Sequence, residues 1–278
     1  MLSTVFIGSR NEFDELLVDW LAKRTELRGV VWTSSTAWQR TLQGRLEFAR
    51  KRARRRGVLK AADEAAFYLV FHKLLKRSDD DELRARVIER HTSDGGKPQW
   101  RGDAITASDV NAPEVLAFLR EREPDLALAM CITNYFDAEV RSIPRHGIFL
   151  WHEGFTPEYK GLYSPFWAAH NLDFDRIGYT LLRMSDEFDA GEVFVQGPAQ
   201  EVDPRRHGHL YMGHKAIWDS LPEVERFLAE LERGEARPIS RDGATSGMYT
   251  YPGLSDLVRQ RVRLWRARLP RDASSAAG

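Results

Sequence analysis

Near its N-terminus the chain places an apolar run, an amphipathic segment and a second apolar run in close succession, and this order restricts the fold more than any other feature. Thr4-Val5-Phe6-Ile7-Gly8 is a strand-like run ending at a glycine, and Gly29-Val30-Val31-Trp32-Thr33 is another. Between them, residues 11–24 carry Phe13, Leu16, Leu17, Trp20 and Leu21 at helical spacing. Parallel neighbours need a crossover and the helix supplies it, so the expectation is an α/β fold with a doubly wound, mainly parallel sheet. The turn Gly8-Ser9-Arg10 then falls at a strand's carboxyl end, where such sheets bind ligands. These three residues are candidate substrate-binding residues, with an ordinary turn as the alternative.

Residues 37–92 read as an Arg-rich helical insertion. Its run Arg50-Lys51-Arg52-Ala53-Arg54-Arg55-Arg56 is either a solvated helix face near a charged segment or a phosphate patch. Asp79-Asp80-Asp81 suits the cap of the following helix. Residues 93–102 read as a surface loop, Pro113 opens a helix that runs to about 122, and residues 125–132 form a strand. Asn134-Tyr135-Phe136 stands at that strand's carboxyl end. The apolar run 178–184 is short enough for a buried strand, expected to carry Asp189 back towards the loop that bears His152. A strand over 192–196, a helix or helix pair over 210–233 interrupted at Pro222, and an amphipathic helix over 258–268 follow. The expected division is an α/β catalytic domain over 1–200 and a mainly helical extension over 201–278.

Lys and Arg balance Asp and Glu at 41 each, so charge offers no sequence-independent footprint for nucleic acid, and tRNA is disfavoured as a partner. The one cysteine, Cys131, fits a reducing compartment. No apolar run approaches the ~20 residues that cross a bilayer, and no secretory pattern opens the chain, so the expectation is a cytoplasmic protein without a membrane partner. His207, His209 and His214 lack partners at a recognised metal spacing; the expectation is surface histidines and no metal.

His152-Glu153-Gly154-Phe155-Thr156-Pro157-Glu158-Tyr159-Lys160-Gly161 is followed by Gly178-Tyr179-Thr180 and then by Asp189-Ala190-Gly191. In these segments the chain resembles the formyltransferases that use 10-formyltetrahydrofolate, which act on methionyl-tRNA, glycinamide ribonucleotide or amino sugars. The positions that fall on the family pattern are His152, Pro157, Tyr159, Gly161, Gly178, Thr180, Asp189 and Gly191. The resemblance implies the formyltransferase type of sheet and a catalytic pair, His152 and Asp189. It also implies a folate site at Tyr135, Phe136 and the loop Ser185, Asp186, Glu187 and Phe188. The implied activity is N-formyl transfer from 10-formyltetrahydrofolate to the amine of a small molecule, such as a nucleotide-linked amino sugar or a specialised metabolite. Hydrolysis of the same donor, or noncatalytic ligand binding or assembly on the same fold, are the alternatives, and a homo-oligomer is left open.

One position departs from the pattern. Leu150 stands where the family has an Asn two residues before the His, and a leucine cannot donate a hydrogen bond. Losing one such donor costs about 100- to 1000-fold in rate. Asn134, at the end of the neighbouring strand, is the candidate replacement, with a turn-forming Asn as the alternative.

Overall fold

The N-terminal apolar runs form β1 (Ser3–Ser9) and β2 (Glu26–Thr33), paired in parallel and joined by α1 (Glu12–Ala22). Helix α1 starts where the Asn11 side chain accepts a bond from the Asp14 N–H at 2.9 Å, which satisfies an otherwise orphaned helix donor. Its apolar stripe, Phe13, Leu16, Leu17 and Leu21, is buried against the sheet. The computed structural model describes residues 1–33, 42–89, 99–130 and 135–267, and sets these strands in a seven-stranded sheet of order β3-β2-β1-β4-β5-β7-β8. The other members are β3 (Ala104–Ala107), β4 (Leu126–Met130), β5 (Ile148–His152), β7 (Gly178–Arg183) and β8 (Val193–Pro198).

Strands β1 to β5 are mutually parallel, β7 runs against β5, and β8 runs against β7 and so returns to the common direction. The doubly wound, mainly parallel sheet expected from the sequence is therefore present. Winding reverses between β1 and β4, the kind of switch point at which such sheets commonly bind ligands. Alternation along the strands sends Phe6, Val30, Leu128, Phe149 and Trp151 to one face, under α1. Val5, Ile7, Val31, Ala127 and Ala129 go to the other, under α5 (Pro113–Arg122). The edge strand β3 lies just past the loop read from residues 93–102. Its four residues, of which only Ala107 is buried, carry too little periodicity to announce it.

The insertion between β2 and β3 forms α2 (Leu42–Arg56), α3 (Val58–Val70) and α4 (Lys76–Leu83), with π-helical turns at Phe71–Leu75 and Arg84–Ile88. Arg52 of its basic run forms an ion pair with the buried Glu64 and lies over the Tyr251 ring at 4.4 Å, so this arginine pairs within the fold. Asp79 caps a different helix from the one expected. Its carboxylate accepts N–H bonds from Gly208 at 2.8 Å and Leu210 at 3.1 Å, at the start of α8 (His209–Asp219). Pro222 lies in the first turn of α9 (Leu221–Glu232), where proline needs no N–H partner, so it begins a helix and does not interrupt one. Helix α8 packs on α4 and on α7 (Ser164–His170), and α10 (Leu254–Arg266) packs on α3 and α7. Lys160–Gly161 (β6) pairs in parallel with Met248–Tyr249 (β9), which ties the aromatic segment near the C-terminus to the loop after His152.

Candidate active site

His152 is the last residue of β5 and is buried at the sheet's carboxyl edge. Its Nε2 lies 3.1 Å from the Tyr159 carbonyl oxygen and 3.3 Å from Ser164 Oγ. Ser164 itself donates to that carbonyl at 2.9 Å. A carbonyl only accepts, so the network assigns the proton to Nε2 and leaves Nδ1 with the lone pair in the neutral ring. Thr180, opposite His152 on β7 and fully buried, ties the loop down. Its Oγ1 donates to the Gly154 carbonyl at 2.7 Å and accepts from Thr156 N–H at 3.1 Å and Gln196 Nε2 at 2.8 Å.

Asp189 reaches the same loop from the other side. The Gly161 N–H donates to its Oδ2 at 2.6 Å. His152 and Asp189 thus hold positions two residues apart on one segment, and no hydrogen bond joins their side chains among the described residues. The route to Asp189 also differs from the expected one. Leu150 pairs with Leu182 and His152 with Thr180, so β7 leads away from His152; the loop 184–191 makes the return. Two glycines shape this contact. Gly161 has φ +93°, and a Cβ there would sit 2.2 Å from the Tyr249 carbonyl oxygen. Gly191 has φ +135°, and a Cβ would sit 1.9 Å from the Arg183 carbonyl oxygen. Both positions demand glycine.

The loop 184–190 covers a crevice of about 40 Å³ lined by Tyr135, Phe136, Leu150, Ser185, Glu187, Phe188 and Asp189, enough for only a few waters. Tyr135 closes it, its hydroxyl donating to the Asp186 carbonyl at 3.0 Å and its ring meeting Phe188 edge-on at 5.4 Å. Arg141 pairs with the Asp186 carboxylate, and Ser185 Oγ donates to the Ala190 carbonyl at 2.9 Å. The candidate folate residues therefore converge on one place. Leu150 lies on its floor in an apolar cluster with Leu182 and Val193. Asn134, the candidate donor in place of the missing amide, lies outside the described residues.

The Gly8-Ser9-Arg10 turn is built around a carboxylate. The Ser9 N–H donates to Asp14 Oδ2 at 2.8 Å, so a backbone donor that an anion could use is already occupied. Arg10 points outward, 3.6 Å from Glu15. Sequence reasoning missed Asp14, because an acid in a helix's first turn reads as an ordinary favourable charge. Burial pushes its carboxyl up to about 7, opposed by the Ser9 hydrogen bond. Glu153, the residue after His152, is pushed up to about 8 by burial and by the charge of Asp14. Both acids bind protons more tightly folded than unfolded. Stability therefore falls as pH rises from the ordinary carboxylate range to about 8. Thermal melts across that range should show this decline, and the double variant Asp14→Asn, Glu153→Gln should flatten it. An equal decline in both proteins would contradict the assignment.

The three histidines expected at the surface are packed into the fold. His207 and His209 are buried, and His214 Nδ1 lies 2.7 Å from the Leu210 carbonyl with its ring edge-on to Phe13. No group of three metal-binding side chains occurs among the described residues. No helix of the described residues is long and apolar enough to cross a membrane.

No protein-family profile matches the chain. It is 30% identical over 138 residues to the methionyl-tRNA formyltransferase of Thermotoga neapolitana, covering 50% of this chain and 43% of that protein. It is 22% identical over 135 residues to the GDP-perosamine N-formyltransferase of Brucella melitensis, covering 49% and 51%. The matched part thus spans about half the length of these relatives. A sugar N-formyltransferase from Shewanella sp. has a similar fold, with a TM-score of 0.50 at 12% identity over 94% of this chain and 87% of the other. Over about half its length the chain is similar in sequence to formyltransferases, and over nearly all of it the fold is similar to that of a sugar N-formyltransferase.

Proposed function

We propose that this protein is an enzyme that transfers a formyl group from 10-formyltetrahydrofolate to the amine of a small molecule, with a nucleotide-linked amino sugar as the favoured acceptor class. The observation that carries this reading is the convergence of His152 and Asp189 on the single segment after β5, with Asp189 also lining the aromatic crevice. In the proposed reaction the acceptor nitrogen attacks the formyl carbon, and the oxygen gains charge that a protonated His152 stabilises. Asp189 acts as a positioning residue through Gly161, since its carboxylate holds the segment against which the His152 ring is fixed. The pterin occupies the space that Tyr135 and Phe188 now close. The relative that acts on GDP-perosamine and the balanced charge both favour a small acceptor over tRNA. Leu150 favours a second reading, noncatalytic ligand binding, because it fills the amide's place with an apolar side chain.

Two measurements separate these readings. Titration with a 5-deaza folate analogue should saturate, and Phe188→Ala should change its affinity by about tenfold by removing an aromatic contact or a lid. Indifference to Phe188 would move the folate elsewhere. Single-turnover assays with 10-formyltetrahydrofolate and a panel of nucleotide-linked amino sugars, GDP-perosamine among them, should yield the formamide. Saturable binding with no product from any of them would favour the noncatalytic reading.

A further inference from the structure

His152 and Glu153 are consecutive, and strand alternation sends them to opposite faces of the sheet. His152 shares its face with Leu150 and the crevice assigned to the formyl donor. Glu153 follows the phase of Phe149 and Trp151, which lie in the core beneath α1 and α8. It ends against α8 at Gly213, where a Cβ would stand 2.3 Å from Glu153 Oε2, so the helix makes room for the carboxylate by having no side chain there. On α1 the facing group is Asp14, whose charge acts on Glu153. On the loop before α7 it is Tyr163, whose hydroxyl Glu153 helps to keep protonated.

Among the described residues neither acid has a cationic partner. Asp14 is fully buried, and its Oδ1 has no hydrogen-bond partner at all. Glu153 is partly buried. Ionised carboxylates without a cation are costly here and two together repel, so both acids hold their protons and ionise together only when a positive group joins them. A cavity of about 660 Å³ opens one residue away on both helices, lined by Asn11 and Phe13 at the start of α1, His214 of α8 and Lys76, Asp80 and Arg84 of the insertion; neither acid lines it, and it could hold the rest of a small molecule.

We propose that Glu153 and Asp14 form an anionic subsite for the ammonium group of the acceptor, and that Glu153 takes the proton this nitrogen must lose before it attacks. The inference rests on the formyl-transfer reading for the identity of the second substrate. The acceptor approaches from the α1/α8 face and the formyl donor from the face of Leu150, so the two meet at the edge where β5 ends. The ammonium gives one proton to the Glu153 carboxylate, and its freed electron pair forms the new bond to the formyl carbon. The carbonyl π pair moves onto oxygen. When the adduct collapses, the carbon's bond to N10 of the donor breaks, and the second proton leaves the acceptor nitrogen for N10. Glu153 returns its proton to solvent. A carboxyl held near 8 suits this exchange, because its affinity for the proton approaches that of an amine.

The test uses the full chain and two simple probes, glucosamine and its hydroxyl counterpart glucose, titrated calorimetrically with and without a bound 5-deaza folate analogue. At about pH 7, in buffers of different ionisation enthalpy, glucosamine should bind about tenfold or more tighter than glucose and release a proton as Glu153 ionises. Glu153→Gln should lose both the preference and the proton release while keeping folate binding. Asp14→Asn should reduce the preference. Should the variants fail to fold, infrared spectra of the native protein give the same information: the band of a protonated carboxylic acid should persist above the ordinary carboxylate range and diminish when glucosamine is added. Equal or undetectable binding of the two sugars, or an undiminished preference in Glu153→Gln, would overturn the subsite. Failure to bind the folate analogue rejects the formyl-transfer reading instead, since the sugar comparison stands without it.

Discussion

His152→Ala should lower single-turnover formyl transfer by about 100- to 10,000-fold, the range spanned by a lost acid or base positioned at the reacting group. The ring's Nε2 is already committed to the Tyr159 carbonyl, which fixes its plane and leaves Nδ1 for the reaction. Folate binding should change little, because His152 lies beyond the residues that line the crevice. The informative comparison is with Asp189→Asn, which retains an oxygen able to accept from the Gly161 N–H. If Asp189 acts only through that bond, the Asn variant should keep most of the rate; a loss as deep as that of His152→Ala would instead give the carboxylate a direct part in the chemistry.

Thr180→Val should cost about 2 to 3 kcal/mol of stability, because the isosteric change removes one donor and one acceptor that serve two buried backbone groups and the partly buried Gln196 amide. The Thr156 N–H loses its acceptor and the Gly154 carbonyl its donor, while the Gln196 amide keeps only its bond to the Thr156 carbonyl at 2.7 Å. Chemical denaturation would measure the cost. A loss below about 1 kcal/mol would mean that water or a shifted Gln196 satisfies these groups, and that the loop is held elsewhere. Since the same loop carries the carbonyl that orients His152, activity should fall in the folded variant as well.

The parts legible in the sequence were those encoded by local periodicity or by an ordered motif. Strand β1, helix α1 and strand β2 follow from apolar spacing, and the placing of His152 and of the candidate folate loop in one region from the run of family residues. Strand direction is different. An apolar hexamer such as residues 178–183 says that a buried strand is present and nothing about its orientation, so the reversal of β7 and the fold-back of its following loop emerge only in three dimensions. The same holds for Asp79, whose partners are 129 to 132 residues away. Asp14 and Glu153 show a further limit. Each is unremarkable among its sequence neighbours, and their meaning comes from α1, β5 and α8 converging on one point.

That distant cap on α8 has a consequence for how the chain acquires its shape. While the ribosome is still adding the residues between Asp79 and Gly208, the aspartate has none of the three N–H groups that will later receive it, and it remains hydrated. The N-terminal β1–α1–β2 unit, by contrast, needs only neighbours close in the chain, and closing short loops is entropically cheap. The insertion should accordingly acquire protection from amide exchange late, together with α8, in a step separate from the early consolidation of the first two strands.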